Sequence, residues 1–309
     1  MMKSQAAMEY LMTYGWAILV IAVVLAALYS LGIFNPNTFA PKASAGSCEV
    51  VRPFGPTTTT DVHLEGTCTN MLPKYVANIG FSNSYISTNN KVNLNDNIMS
   101  SGYTMTIWFY EPSSASSVNV GCPTTPIVEI RNPSIPFPWT GIEAQCGTTP
   151  GTIMIICVSN SGGTCGNGGT YAAASNLAPN RWYLLSATYT KGNLKIYTNG
   201  KLIQDHSTSQ TFNALSYAKI YMGGVPNGGW GVGAPFKIAN VQVYNIALSA
   251  NQISALYQEG IGGAPIDLTN LVGWWPLNGN ANDYSGNKNN GKGYNVSYPS
   301  TWYKTYSAP

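Results

Sequence analysis

Charge is what this sequence has least of. Only 9% of its 309 residues are Asp, Glu, Lys or Arg, and the formal net charge is +3. A nucleic-acid binder needs a basic face, so the composition points neither to nucleic acid nor to a strongly acidic partner. Histidine is almost missing, with His63 and His206 alone, and neither stands in an H-E-x-x-H context. No two cysteines have C-x-x-C spacing, so no metal site of the zinc type is expected. Clustered carboxylates are also lacking. Glu111, Glu129 and Glu143 each stand at least fourteen residues from the next, whereas glycan cleavage needs a convergent pair of acids. Asp205-His206-Ser207 cannot form a triad, because adjacent residues on a strand point to opposite faces. No enzyme activity, no metal and no cofactor are expected.

What the chain does have begins at its N-terminus. No charged side chain occurs from Tyr10 to Pro41, and over Tyr14–Phe34 the run is apolar on every face, as in a membrane helix. A helix over Gln5–Phe34 would be roughly 45 Å long, against roughly 30 Å of bilayer hydrocarbon. The extra length lies at the N-terminal end, where Glu9 is costly in lipid unless something pairs with it. Ala22 and Ala26 offer a close helix–helix contact face.

Lys3-Ser4-Gln5 with Glu9 resembles the class III signal peptide of archaeal type IV pilin-like proteins. The resemblance implies that a prepilin peptidase cuts between Ser4 and Gln5 on the cytoplasmic side and leaves the apolar helix on the mature subunit. It further implies that Glu9 pairs with the new α-amino group of a neighbouring subunit's Gln5, so the chain homo-oligomerises through this helix as a filament core. Two other readings stay open: an uncut membrane anchor, and a secretory signal cleaved after Ala43-Ser44-Ala45.

All six cysteines, Cys48, Cys68, Cys122, Cys146, Cys157 and Cys165, follow the helix. An even count beyond a membrane segment, with Lys and Glu scarce and 32 Gly and 20 Tyr, reads as a secreted, loop-rich β protein with disulfides. Sequential pairing is the simplest of fifteen connectivities. Residues 35–73 form a Pro/Ser/Ala-rich linker and a small Cys-bracketed β segment. Short strand-like runs fill 74–260, among them Tyr103–Tyr110, Trp182–Tyr189 and the hairpin turn Asn199-Gly200. One helix follows, with Ser249 and Gln252 as a capping box and Gly260 as its stop. Many short strands and one late helix mean a β-sandwich.

Arg181-Trp-Tyr-Leu-Leu-Ser-Ala-Thr-Tyr189, Lys195-Ile-Tyr-Thr-Asn-Gly200 and Ile238-Ala-Asn-Val-Gln-Val-Tyr244, with Phe81–Ile86, resemble the laminin G-like, concanavalin A-like jelly rolls. The resemblance implies an antiparallel sandwich over about 75–260, and hosts of that fold include lectins, adhesion modules and hydrolases. Leu271–Gly286 with Asn289-Asn-Gly291 is similar to the opening strands of the same family but comes last. It reads as a permuted segment, 261–309, closing the sandwich within the chain, against strand donation to a neighbour or a truncated second repeat.

Calcium is plausible from the resemblance alone, with Asp283 and Asn282 as its best local candidates. The same pair reads equally as a turn former, and no metal is assigned. Trp139 and Trp230 are candidates for stacking on sugar rings. Asn295-Val-Ser297 is the one glycosylation sequon. Together these features describe a leader and pilin-type helix (1–34) carrying a β-sandwich head. The expected setting is the cell surface, membrane-anchored before assembly, and the expected ligand is a surface glycan or protein. A membrane-anchored lectin-like protein is the alternative, and a secreted glycan hydrolase the third.

Overall fold

Residues Met2–Ser30 form one helix, α1, in the computed structural model. The structure describes residues 2–30, 42–69, 71–80, 83–92, 102–111, 125–134, 139–146, 152–159, 170–207, 218–226 and 236–309; within these, the side chains of 2–11, 13, 111, 125, 145–146 and 152–176 are outside the description. Ser4, Gln5 and Glu9 therefore fall on the backbone of α1, and their side-chain roles lie outside the described residues. From Tyr14 to Ser30 the helix is apolar and exposed, with Trp16 at 68% and Tyr29 at 79%. Among the described residues no helix is long and apolar enough to cross a membrane, so they do not support the transmembrane span expected over residues 1–34. Residues 1–40 are one unit and 41–309 another.

The second unit opens with β1 (Lys42–Ala43), the hairpin β2 (Cys48–Val51) and β3 (His63–Gly66), and β4 (Leu72–Pro73), which pairs with β1. Next come β5 (Ala77–Ile79), β6 (Tyr85–Thr88), β7 (Tyr103–Glu111), β8 (Thr125–Arg131), β9 (Trp139–Cys146), β10 (Thr152–Ser159) and β11 (Thr170–Leu177). They are followed by β12 (Arg181–Thr190), β13 (Asn193–Thr198), β14 (Lys201–Ser207), β15 (Lys219–Met222), β16 (Phe236–Tyr244) and helix α2 (Ala250–Glu259). The C-terminal segment adds β17 (Leu271–Trp275), β18 (Gly291–Tyr294), β19 (Val296–Ser297) and a 3-10 turn, Trp302–Thr305.

Strands β5–β19 stack as two antiparallel sheets. One has the order β11-β10-β9-β8-β15-β6-β18, the other β14-β13-β12-β7-β16-β5-β19, with β17 also paired to β16. Alternation decides the layers. Ile86, Val128, Ile130, Ile142, Ile220 and Met222 from the first sheet meet Met105, Ile107, Phe109, Leu185, Ile238 and Val243 from the second, all at most 2% exposed. Tyr103 and Thr140 join the two sheets by a hydroxyl–hydroxyl hydrogen bond. Trp274 and Trp275 are both buried, the latter donating from Nε1 to the Asn289 carbonyl at 3.0 Å.

Local chemistry accounts for the connections. Asn199 and Gly200 both take left-handed backbone, at φ 50 and 75°, as a type I′ turn between β13 and β14 requires. Ser249 Oγ accepts from the Gln252 amide at 3.3 Å, and Gln252 Oε1 accepts from the Ser249 amide at 2.9 Å, which completes the capping box of α2. The outer face of the second sheet is covered by aromatic packing. Trp108 lies 5.9 Å from the Tyr257 ring of α2 and 5.5 Å from Tyr306, and Trp182 lies 5.7 Å from Trp302.

Candidate functional site

The outer face of the first sheet carries a line of tyrosines that starts in solvent and ends at a buried carboxylate. β18 is the edge strand, and its Tyr294 is directly opposite Tyr85 on β6. Their rings stack with centroids 4.6 Å apart and planes 23° from parallel. Tyr85 also lies 6.3 Å from Tyr221 on β15, and Tyr221 faces Glu129 on β8. Exposure falls along this line, from 37% at Tyr294 to 3% at Tyr221 and 2% at Glu129. Lys292 Nζ sits 5.3 Å from the Tyr294 ring centroid, within cation–π range.

Two asparagines in left-handed backbone make this edge. Asn295 has φ 50° and Asn83 φ 61°, a conformation that Asn tolerates better than most residues. Asn295 Nδ2 donates to the Asn83 carbonyl at 3.2 Å, and Ser84 Oγ donates to the Asn295 carbonyl at 3.0 Å. The chain thereby leaves β18 in one sheet and enters β19 in the other. Asn295 itself is exposed, so the sequon lies on the surface beside the tyrosine pair.

Glu129 closes the inner end. Arg131, two residues on along the same strand face, brings Nε to 3.2 Å from Glu129 Oε1. That contact is an ion pair without hydrogen-bond alignment, since Oε1 accepts no hydrogen bond among the described residues. Burial pushes the Glu129 carboxyl up to about 7, with Arg131 pulling it down. Glu143 is on the same face: Glu129 is opposite Gly141 on β9, and Glu143 is two residues further along. The spacing of fourteen residues isolates the two acids along the chain, and the β8–β9 pairing makes them diagonal neighbours. Sequence reasoning missed this because the register depends on an irregularity between Pro126 and Val128. Gly141 permits the approach, since a Cβ there would lie 2.6 Å from the Val128 carbonyl oxygen. Both acids are nearly fully buried.

The other sequence candidates fall elsewhere. Trp139 starts β9 opposite Arg131 on this same face and is 9% exposed. Trp230 lies outside the described residues. Asp283 is engaged by protein donors. Its Oδ1 accepts from the Trp274 and Ser285 amides, each at 2.9 Å, and its Oδ2 from Ser285 Oγ at 2.9 Å and the Asn289 amide at 2.8 Å. The pair with Asn282 is therefore a turn former, and the acceptors a calcium ion would use are occupied. Among the described residues no cluster of three His, Cys, Asp or Glu could hold a metal. Asp205 is tied to Lys195 at 3.0 Å and to Asn193 at 2.5 Å, not to His206. Cys48 and Cys68 are joined by a disulfide. The side chains of Cys122, Cys146, Cys157 and Cys165 lie outside the described residues.

A family profile described as the concanavalin A-like lectin/glucanases superfamily matches residues 82–254. Among solved structures, a provisionally assigned carbohydrate-binding protein from Bacteroides ovatus is similar at 18% identity and a TM-score of 0.49, over 77% of this chain and 66% of that one. A heptameric SAP-like pentraxin from Limulus polyphemus matches at 11% identity and a TM-score of 0.43, over 63% and 87% of the two chains. The binding domain of paraclostridial mosquitocidal protein 1 matches at 11% identity and a TM-score of 0.42, over 72% and 48%. The chain thus spans just under two thirds of the first structure and about half of the third, and likenesses this shallow carry no argument by themselves. No curated protein matches.

Proposed function

The chain belongs to the concanavalin A-like lectin/glucanases superfamily, and on that premise we propose that its β-sandwich is an extracellular carbohydrate-binding head. The observation that carries this reading is the stacked Tyr294–Tyr85 pair on the edge of the first sheet, half open to solvent. A sugar ring presents an apolar C–H face that packs on such a platform, while Lys292 and Asn295 beside it supply polar contacts. Tyr294→Ala in the full chain should weaken saccharide binding about tenfold, in line with roughly 1–1.5 kcal/mol for a stacked aromatic. Its melting temperature should hardly move, because the ring is an edge residue. Titration calorimetry beside a thermal melt checks both; unchanged affinity would remove this face from the reading.

The head would be carried to the surface by α1. An apolar helix exposed from Tyr14 to Ser30 is unfavourable in water and calls for lipid or copies of itself as cover. In this reading the chain is an archaeal type IV pilin-like subunit. A prepilin peptidase removes Met1–Ser4, the helix waits in the membrane, and Glu9 pairs with a neighbour's Gln5 as the filament core assembles. The intact mass and N-terminal sequence of protein taken from its own cells test it. A chain starting at Gln5 supports the filament subunit. A chain starting at Met1 or Met2 makes it a membrane-anchored lectin-like protein, and a start at Gly46 makes it a secreted one. Turnover of a glycan by the intact chain would reopen the hydrolase alternative.

A further inference from the structure

Charge is placed unevenly around the stacked tyrosines. In the β6–β18 ladder Tyr294 is opposite Tyr85, and Lys292 is opposite Ser87. Alternate residues of a strand point to one face, so Lys292 shares the face of the stacked pair. One step further, the Asn89 amide donates to the Asn290 carbonyl at 2.8 Å and continues the same pairing. Lys292, Asn89 and Asn290 are all exposed. Rings, cation and side-chain amides thus follow one another along roughly 13 Å of sheet edge, from residue 294 back to 290. That length accommodates more than one sugar ring.

No carboxylate balances this cation. The ion pairs among the described residues are His63–Glu65, Arg131–Glu129 and Lys195–Asp205, and Lys292 is in none of them. Lys219, half-buried on β15 opposite Arg131, is in none of them either. The acids of this face, Glu129 and Glu143, are three and four strands in from β18 and buried. Asp283, whose amide donates to Asn290 Oδ1 at 2.9 Å, already holds four protein donors. What Lys292 Nζ does have is the Tyr294 ring, 5.3 Å from its centroid. A cation over an exposed ring is held weakly, whereas a charge-assisted hydrogen bond to a carboxylate is about twice as strong as a neutral one. A sugar acid on the platform therefore draws Nζ off the ring, while a neutral sugar offers only hydroxyl oxygens, which are weaker acceptors.

We propose that Lys292 makes this platform selective for anionic saccharides: a uronate ring stacks at Tyr294 while its carboxylate accepts from Lys292 Nζ. The inference rests on the carbohydrate-binding reading above and adds the charge of the ligand and the residue that selects it. The test is calorimetric titration of the full chain with digalacturonate and diglucuronate, and with the neutral methyl ester of each. At least one acid should bind about fivefold tighter than its ester, the upper margin of an exposed ion pair, and that preference should shrink with added salt. Lys292→Gln should remove the preference and leave the ester's affinity in place, Lys292→Arg should keep the preference, and Tyr294→Ala should weaken acid and ester alike. Equal affinity for acid and ester, or a preference that survives Lys292→Gln, would overturn the assignment. If the esters then still bind and Tyr294→Ala weakens them, the carbohydrate-binding platform stands without this selectivity. Failure of every saccharide to bind would remove both.

Discussion

Glu129 carries the most readable pH signature at the scale of single residues. Burial lifts its carboxyl from the ordinary 4.5 to about 7, against the opposing pull of Arg131. Between those values the folded protein keeps a proton that the unfolded chain has released. Stability therefore falls as pH rises from about 4.5 to about 7, and this contribution is level above and below that window. The full effect is at most about 3 kcal/mol. Glu129→Gln keeps the shape and removes the titration. Urea melts at pH 4.5, 6 and 8 should show a slope for the parent chain that the variant lacks, and equal slopes would contradict the account. Neither this shift nor the nearness of Glu143 was legible from composition. Both acids look isolated until the register of β8 on β9 is known, and a local irregularity sets that register. The tyrosine ladder was hidden for a related reason: Tyr85 and Tyr294 lie at opposite ends of the sandwich sequence and meet only because β18 returns to pair with β6.

Local codes made several elements readable in advance. Asn199-Gly200 takes the left-handed pair that its dipeptide favours, and Ser249 with Gln252 builds the capping box that its spacing implies. The segment Leu271–Gly286, similar to the family's opening strands, supplies β17, which pairs with β16 in the same chain and buries Trp274 and Trp275. Less readable was Arg52, a lone cation in a proline-rich stretch that became the pin of the β2–β3 hairpin. Its side chain joins that hairpin to carbonyls more than 200 residues away. Arg52→Met keeps the apolar stem and orphans those carbonyls, so it should cost about 3 kcal/mol, since hydrogen bonds to a charged donor are the stronger kind. It should also open the Thr57–Asp61 loop to proteolysis. Chemical denaturation and limited digestion check this; a cost below about 0.5 kcal/mol would mean that the disulfide alone holds the hairpin.

At the scale of the whole molecule, the two sheets within residues 41–309 share one core. The chain's low overall charge argues against a polyanion-binding surface at large, yet a small net charge says little about how a few cations are grouped. Lys91 and Lys288 are nearly 200 positions apart, and folding brings both to one cleft. The fold could be read because strand alternation and turns repeat many times. The site could not, because it depends on a few long-range pairings. The most direct measurement is binding of the intact chain and its Tyr294→Ala variant to an array of neutral and acidic glycans, with thermal melts of both. The account predicts selective saccharide binding by the parent chain, weakened about tenfold in the variant at an unchanged melting temperature. Binding that ignores Tyr294, or no saccharide bound at all, would contradict it.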